Sequence, residues 1–238
     1  MLRALAHPLS LLVLAGSFVI GVTLHGWVQA LVASRMGDRR PRSEARTQPD
    51  PRRHIDPFGA LAALLSGLGW AKPVELLTGP RQRVAQVAVA LSGPAVNLLL
   101  GLGALIAWRA AFGPVGTAEA GLPAAVADAV GAAVLLEQGC PLTQAGLSTA
   151  LFLFACSQLY LGALSLVPLP PLDGGRLLFA LAPRSVGWQR AEYQLVERNV
   201  GLVAVLVLLL IPLGGNVPLL PQLLDVVLHP LIAAVGRG

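Results

Sequence analysis

The chain has 238 residues, 55% of them apolar and only 12% charged, with a formal net charge of +5. A soluble domain carries about a quarter charged residues, so this composition excludes an ordinary soluble domain and points to a membrane protein. The positive charge does not call for nucleic acid, because arginine-rich loops in a membrane protein reflect topology and contact with anionic lipid.

Residues 8–34 contain no Asp, Glu, Lys or Arg. About 20 apolar residues suffice to cross a bilayer as a helix, and backbone amides in hydrocarbon must be satisfied internally, so a first spanning helix is expected here. It continues to full spanning length, which a cleaved leader does not. Inside it, His25 and Gln29 stand at i and i+4, one above the other on one helix face. A histidine in a spanning helix is a functional candidate; the plainer reading is an interhelical hydrogen bond.

The segment that follows, to residue 56, holds Arg35, Arg39, Arg40, Arg42, Arg46, Arg52 and Arg53 against Asp38, Glu44 and Asp50. The positive-inside rule makes it cytoplasmic and so places the N-terminus outside. His54 and Asp56, two apart in Arg-His-Ile-Asp-Pro-Phe-Gly, could hold a metal. The better fit is capping, with Asp56 as N-cap and Pro57 at the first helical position. Residues 58–70 are apolar but too few to span, which predicts a re-entrant or interfacial segment.

Further apolar runs at 84–108, 140–172 and 200–224 predict spans at about 84–108 and 145–168 and a last one that begins over 200–213 and is broken by Pro212, Gly214 and Gly215. Residues 122–136 are a doubtful additional segment lying against the membrane. Cys140 and Cys156 sit in or near apolar sequence and suggest neither a disulfide framework nor a metal cluster. The run Val167-Pro168-Leu169-Pro170-Pro171-Leu172-Asp173-Gly174-Gly175-Arg176 must break its helix. Asp173 at that break reads as a ligand, a cap or a partner of Arg176, since a carboxylate at membrane depth is costly unless paired or bound to a cation. The expected architecture is all-α: one polytopic membrane helix bundle over residues 1–238, with short re-entrant or interfacial segments. The basic residues comprise sixteen Arg and one Lys, which suggests a GC-rich coding sequence and a bacterial cell membrane.

Taken together, the sequence resembles the site-2 protease family, intramembrane zinc metallopeptidases that cut transmembrane segments. The resemblance rests on His-Ile-Asp-Pro-Phe-Gly at 54–59, Gly-Trp-Ala-Lys-Pro-Val at 69–74, Gly-Pro-Ala-Val-Asn at 93–97 and Pro-Pro-Leu-Asp-Gly at 170–174, in the family's order. It covers roughly residues 10–180 and leaves residues 199–238 as additional C-terminal helices. It implies a zinc site on His25, Asp173 and the position of Gln29, with His54, Asp56, Asn97 and Ser165 in or near the substrate cleft.

The departures fall on the site itself. Where the family's His-Glu-x-x-His motif requires a Glu, this chain has Gly26, and where it requires the second His, it has Gln29. Such sites use three protein ligands plus water, with the Glu accepting a proton from that water. Gly26 cannot accept a proton, and an amide is a poor substitute for imidazole on zinc. Ser165 stands where the family usually has an Asn. The expectation is a family member without catalytic residues, with zinc absent or weakly bound, that binds or regulates a membrane-protein partner through its transmembrane helix. The competing readings are an active zinc endopeptidase with an atypical site, completed by His54 or Asp56, and a small transporter using His25, Gln29 and Asp173 as a polar path.

Overall fold

In the computed structural model, residues 8–75, 83–112, 144–183, 185–212 and 218–237 are described; residues 122–136 and Cys140 lie outside them. Helix α1 spans Pro8–Arg35, followed by the short α2 (Arg40–Ser43) and α3 (Pro51–His54), then α4 (Pro57–Ser66), α5 (Arg83–Phe112) and α6 (Gln144–Ser165). Beyond these come α7 (Asp173–Leu181), α8 (Val186–Glu192), a π-helical turn over Tyr193–Glu197, α9 (Val200–Leu210) and α10 (Leu219–Arg237). The architecture is all-α, and among the described residues the only strand-like pairing is the isolated bridge between Ile55 and Ala71.

Among the described residues, two helices are long and apolar enough to cross a membrane, over Leu11–Arg35 and Arg83–Phe112. Their outer faces carry Leu12 (69% exposed) and Leu99 (68% exposed), the pattern expected of a surface that meets lipid. In the third run α6 covers Gln144–Ser165, close to the expected 145–168, and stops before the Pro-rich turn because proline removes the backbone donors that would continue the helix; α7 begins at Asp173, just past the run. In the fourth run α9 ends at Leu210, just before Pro212, and α10 begins at Leu219; ahead of the run, residues 186–197 meet α9 at an angle of 64°.

Small residues set how closely the long helices approach. Helices α5 and α6 run antiparallel. A side chain at Gly101 would come within 2.8 Å of the backbone nitrogen of Leu159, and one at Gly162 within 3.1 Å of that of Leu98. Trp108 closes the far end of this pair by donating its indole N–H to Ser148 Oγ at 2.9 Å. Helix α1 lies across both. Gln158 of α6 donates to the Ser17 carbonyl at 2.8 Å, while Ala33 packs with Val89 of α5 and Val74.

The segment between α1 and α5 folds back along α1 as a hairpin. Asp56 caps α4 by accepting from the Gly59 amide at 2.7 Å, as its place before Pro57 predicts, and Gly67 ends α4 with φ +88°. The returning extended stretch then pairs with the approach, Lys72 N–H donating to the His54 carbonyl at 2.7 Å. Gly69 lies against Phe18, whereas Val74 packs near Ala33, so this stretch runs along much of the length of α1 without being a helix. Arg46, 3% exposed, pins the hairpin by donating to the carbonyls of Pro73 and Lys72, both at 2.7 Å.

The glycine spacing on α5 gives a paired prediction. Gly101→Ala places a methyl against backbone and lowers the thermal midpoint of the detergent-purified protein, an overpacking loss of about 1–3 kcal/mol. Gly103 has open space around it, so Gly103→Ala is neutral or stabilises by up to about 1 kcal/mol. Equal effects of the two substitutions would contradict the α5–α6 contact.

Candidate functional site

The site forms where α1, α5 and the start of α7 meet. His25 and Gln29 share one face of α1, as their four-residue spacing requires, and both are 1% exposed. Asp173, 7% exposed, stands in the first turn of α7, where the helix dipole favours a negative group. The His25 Nε2 to Asp173 Oδ2 distance is 2.7 Å, and Gln29 donates its Nε2–H to Asp173 Oδ1, also at 2.7 Å. One carboxylate thus joins both polar residues of α1 to the helix that follows the break.

Asn97 of α5 completes the arrangement, its Nδ2 lying 3.0 Å from His25 Nδ1. With the amide donating there, the tautomer assigned from the network carries its proton on Nε2 and donates it to Asp173. Gly93, one turn before Asn97, allows this approach, since a side chain at 93 would meet His25 Nε2 at 2.3 Å. Arg176 stands behind the carboxylate, its Nη1 3.7 Å from Asp173 Oδ1, and donates through Nη2 to the Val74 carbonyl. The site is therefore tied to the returning hairpin as well.

Gly26 faces outward from this network, toward His54. The imidazole of His54 is fully buried, with Nε2 3.0 Å from the Gln48 carbonyl, which makes Nε2 the donor and leaves Nδ1 as a lone pair without a hydrogen-bond partner. Burial lowers the pKa of this ring below its ordinary value, in keeping with the neutral form. A side chain at residue 26 would meet His54 Nδ1 at 2.6 Å. His54 therefore packs against the place where the family motif has its Glu.

The remaining candidates are engaged elsewhere. Asp56 is the cap of α4, and Ser165 donates its hydroxyl to the Leu161 carbonyl at 2.8 Å within its own helix. Gly93 was not singled out from sequence as a site residue, yet Gly93 and Asn97 are four apart and so share the α5 face that meets His25. Arg46, buried in a segment that reads as a solvated loop, carried no such signal.

The donor set does not fit a catalytic zinc ion. A zinc site of this kind needs three protein ligands, and among the described residues no three His, Cys, Asp or Glu side chains come together as one. Two donors each about 2 Å from a tetrahedral zinc stand about 3.3 Å apart, but His25 Nε2 and Asp173 Oδ2 are 2.7 Å apart, in mutual hydrogen-bond contact. Gln29 presents an N–H, not a lone pair, to the same carboxylate. Hydrogen bonds from His25 and Gln29 to one carboxylate make the arrangement a clamp between α1 and α7.

Removing the shared acceptor tests that clamp. Asp173→Ala leaves buried donors on His25, Gln29 and Arg176 without it, and is expected to destabilise the purified protein by about 3–5 kcal/mol. Asp173→Asn keeps the shape and one acceptor oxygen and loses less than half as much. Equal thermal midpoints for the two variants would show that the carboxylate is not the link.

Residues 35–211 match peptidase family M50. The chain is 33% identical over 218 residues to a Bacillus subtilis (strain 168) protein named "Putative zinc metalloprotease YwhC", a match covering 90% of this chain and 88% of that one. No solved structure matches. The extent of the family match and the similarity over nearly the full length establish that the chain belongs to peptidase family M50, the site-2 protease family.

Proposed function

We propose that this protein is a non-catalytic member of its family, a multi-pass protein of a bacterial cell membrane that uses the retained intramembrane cleft to bind or regulate a membrane-protein partner. The observation that carries this reading is the engagement of Asp173 by both His25 and Gln29, in a chain with Gly26 at the position of the proton-accepting Glu. Loss of the base alone would stop proton transfer. Loss of the second imidazole alone would weaken the metal site. Both have occurred, and the remaining groups satisfy one another.

The partner half of the reading is supported by what has been kept. The hairpin motifs at 54–59 and 69–74, the Gly93–Asn97 face of α5 and the Asp173 turn all persist around a site that lacks the catalytic Glu. A transmembrane helix of another protein is the occupant that a family of intramembrane peptidases is built to accept. Photocrosslinking from residue 58, whose Phe is 52% exposed, is expected to give a discrete membrane-protein adduct in cells; lipid adducts alone would remove this half of the proposal.

The catalytic half is tested by chelation and by returning the ligand. The wild-type thermal midpoint is expected to be unchanged by a strong chelator. Gln29→His adds a second imidazole one helix turn from His25 and facing Asp173. That variant is expected to bind cobalt with a visible absorption band, and its midpoint should become chelator-sensitive. Adding Gly26→Glu displaces His54, so the double variant should be less stable than Gln29→His alone. A wild-type midpoint that falls by several degrees on chelation would overturn the non-catalytic reading.

A further inference from the structure

A second feature lies away from the His25–Asp173 site, on the membrane face where α1 ends, α5 begins and α7 ends. That these three ends share a face follows from Ala33 packing with Val89 and from Arg83 donating to the Ala182 carbonyl at 3.3 Å. From α7 the chain enters residues 186–197, which turn by 64° into α9. Helix α9 is apolar throughout, Val-Gly-Leu-Val-Ala-Val-Leu-Val-Leu-Leu-Leu, whereas residues 186–197 carry Arg190, Glu192 and Glu197, so the bend separates a charged segment from an apolar one. The segment before it carries Trp188 and Tyr193, the two residue types enriched at membrane–water boundaries.

On this segment Val186, Gln189, Arg190, Tyr193 and Gln194 line a groove of about 240 Å³. Its chemistry is one guanidinium, two carboxamides and a phenol beside an aliphatic wall, with no carboxylate in the lining. Planar guanidinium groups recognise phosphate through paired hydrogen bonds. The walls are held in place from both sides. Trp188 packs edge-on against Phe179 of α7 with ring centroids 6.2 Å apart, and the Arg198 guanidinium lies 5.8 Å from the centre of the Tyr193 ring. Val186 and Tyr193 are 66% and 54% exposed, which suits a groove open to lipid chains on one side and to headgroups on the other.

We infer that this groove is a binding site for the headgroup of an anionic phospholipid, with Arg190 as the phosphate-recognising residue and Gln189, Gln194 and Tyr193 as its polar flanks. Lipid is favoured over a soluble phosphate because the groove lies on the segment that leads directly into the apolar α9, and because its wall is aliphatic and aromatic. The nearby arginine-rich surface after α1, with exposed Arg39, Arg42 and Arg52, supplies a diffuse attraction to the same leaflet but forms no such groove.

The experiment is native mass spectrometry of the full chain in detergent, titrated with phosphatidylglycerol or phosphatidylcholine. The wild type is expected to retain phosphatidylglycerol preferentially. Arg190→Gln should lower that retention about tenfold, the effect of losing one charge-assisted hydrogen bond in a formed groove, while Arg52→Gln with Arg53→Gln, on the diffuse surface, changes it little. Both variants alter exposed side chains, and unchanged thermal midpoints confirm that they fold. Undiminished retention by Arg190→Gln, or an equal loss in the Arg52/Arg53 variant, would overturn the groove as the site. Displacement of the lipid by glycerol phosphate at similar concentration would overturn the lipid as its ligand.

Discussion

A carboxylate buried among membrane helices is tolerated only when its charge is met, and the arrangement of this protein turns on how Asp173 is met. Three groups surround it: His25 and Gln29 from α1, and Arg176 from its own helix. The Pro-rich turn between α6 and α7 delivers the carboxylate to α1. Gly93 lets α5 close over the imidazole from the other side. On the non-catalytic reading proposed above, hydrogen bonds join these helices where a metal ion would otherwise do so. Gln29 has a specific part in that exchange, because its amide turns a ligand position into a donor position aimed at the oxygen that would otherwise remain free.

The same logic extends to the hairpin between α1 and α5. Arg176 links Asp173 to the Val74 carbonyl, Arg46 holds the two preceding carbonyls, and His54 rests against Gly26. The hairpin therefore rests on the site from two directions. A second buried carboxylate, Asp225 of α10, accepts a hydrogen bond from the Tyr160 hydroxyl of α6, which fastens α10 to α6.

Much of this is legible from the chain, and the rest has physical reasons for being hidden. Apolar length identifies α1 and α5, Asp-Pro identifies the start of α4, and the four-residue spacing places His25 and Gln29 on one face. These are local properties, fixed by helix period and by capping chemistry. Pairing across 148 residues, as between His25 and Asp173, is not local, and only the family resemblance brought those two together in advance. The end of α6 was visible as well: the prolines after residue 167 show that a helix must stop, and α6 stops at Ser165. The seat of His54 was not visible at all, since the absence of a side chain at Gly26 says nothing about which neighbour fills the space. Arg46 was misleading in kind, because an arginine in a basic loop reads as solvated until the carbonyls it serves are seen.

The central claim is that protein hydrogen bonds, with no metal, hold this site together. Elemental analysis of zinc in the detergent-purified wild-type protein, beside a His25→Ala control, tests it most directly. Zinc at the same background level in both samples is the result this account predicts. Near-stoichiometric zinc in the wild type that disappears in the control would contradict it, and would mean that His25 and Asp173 part to admit an ion and a further ligand.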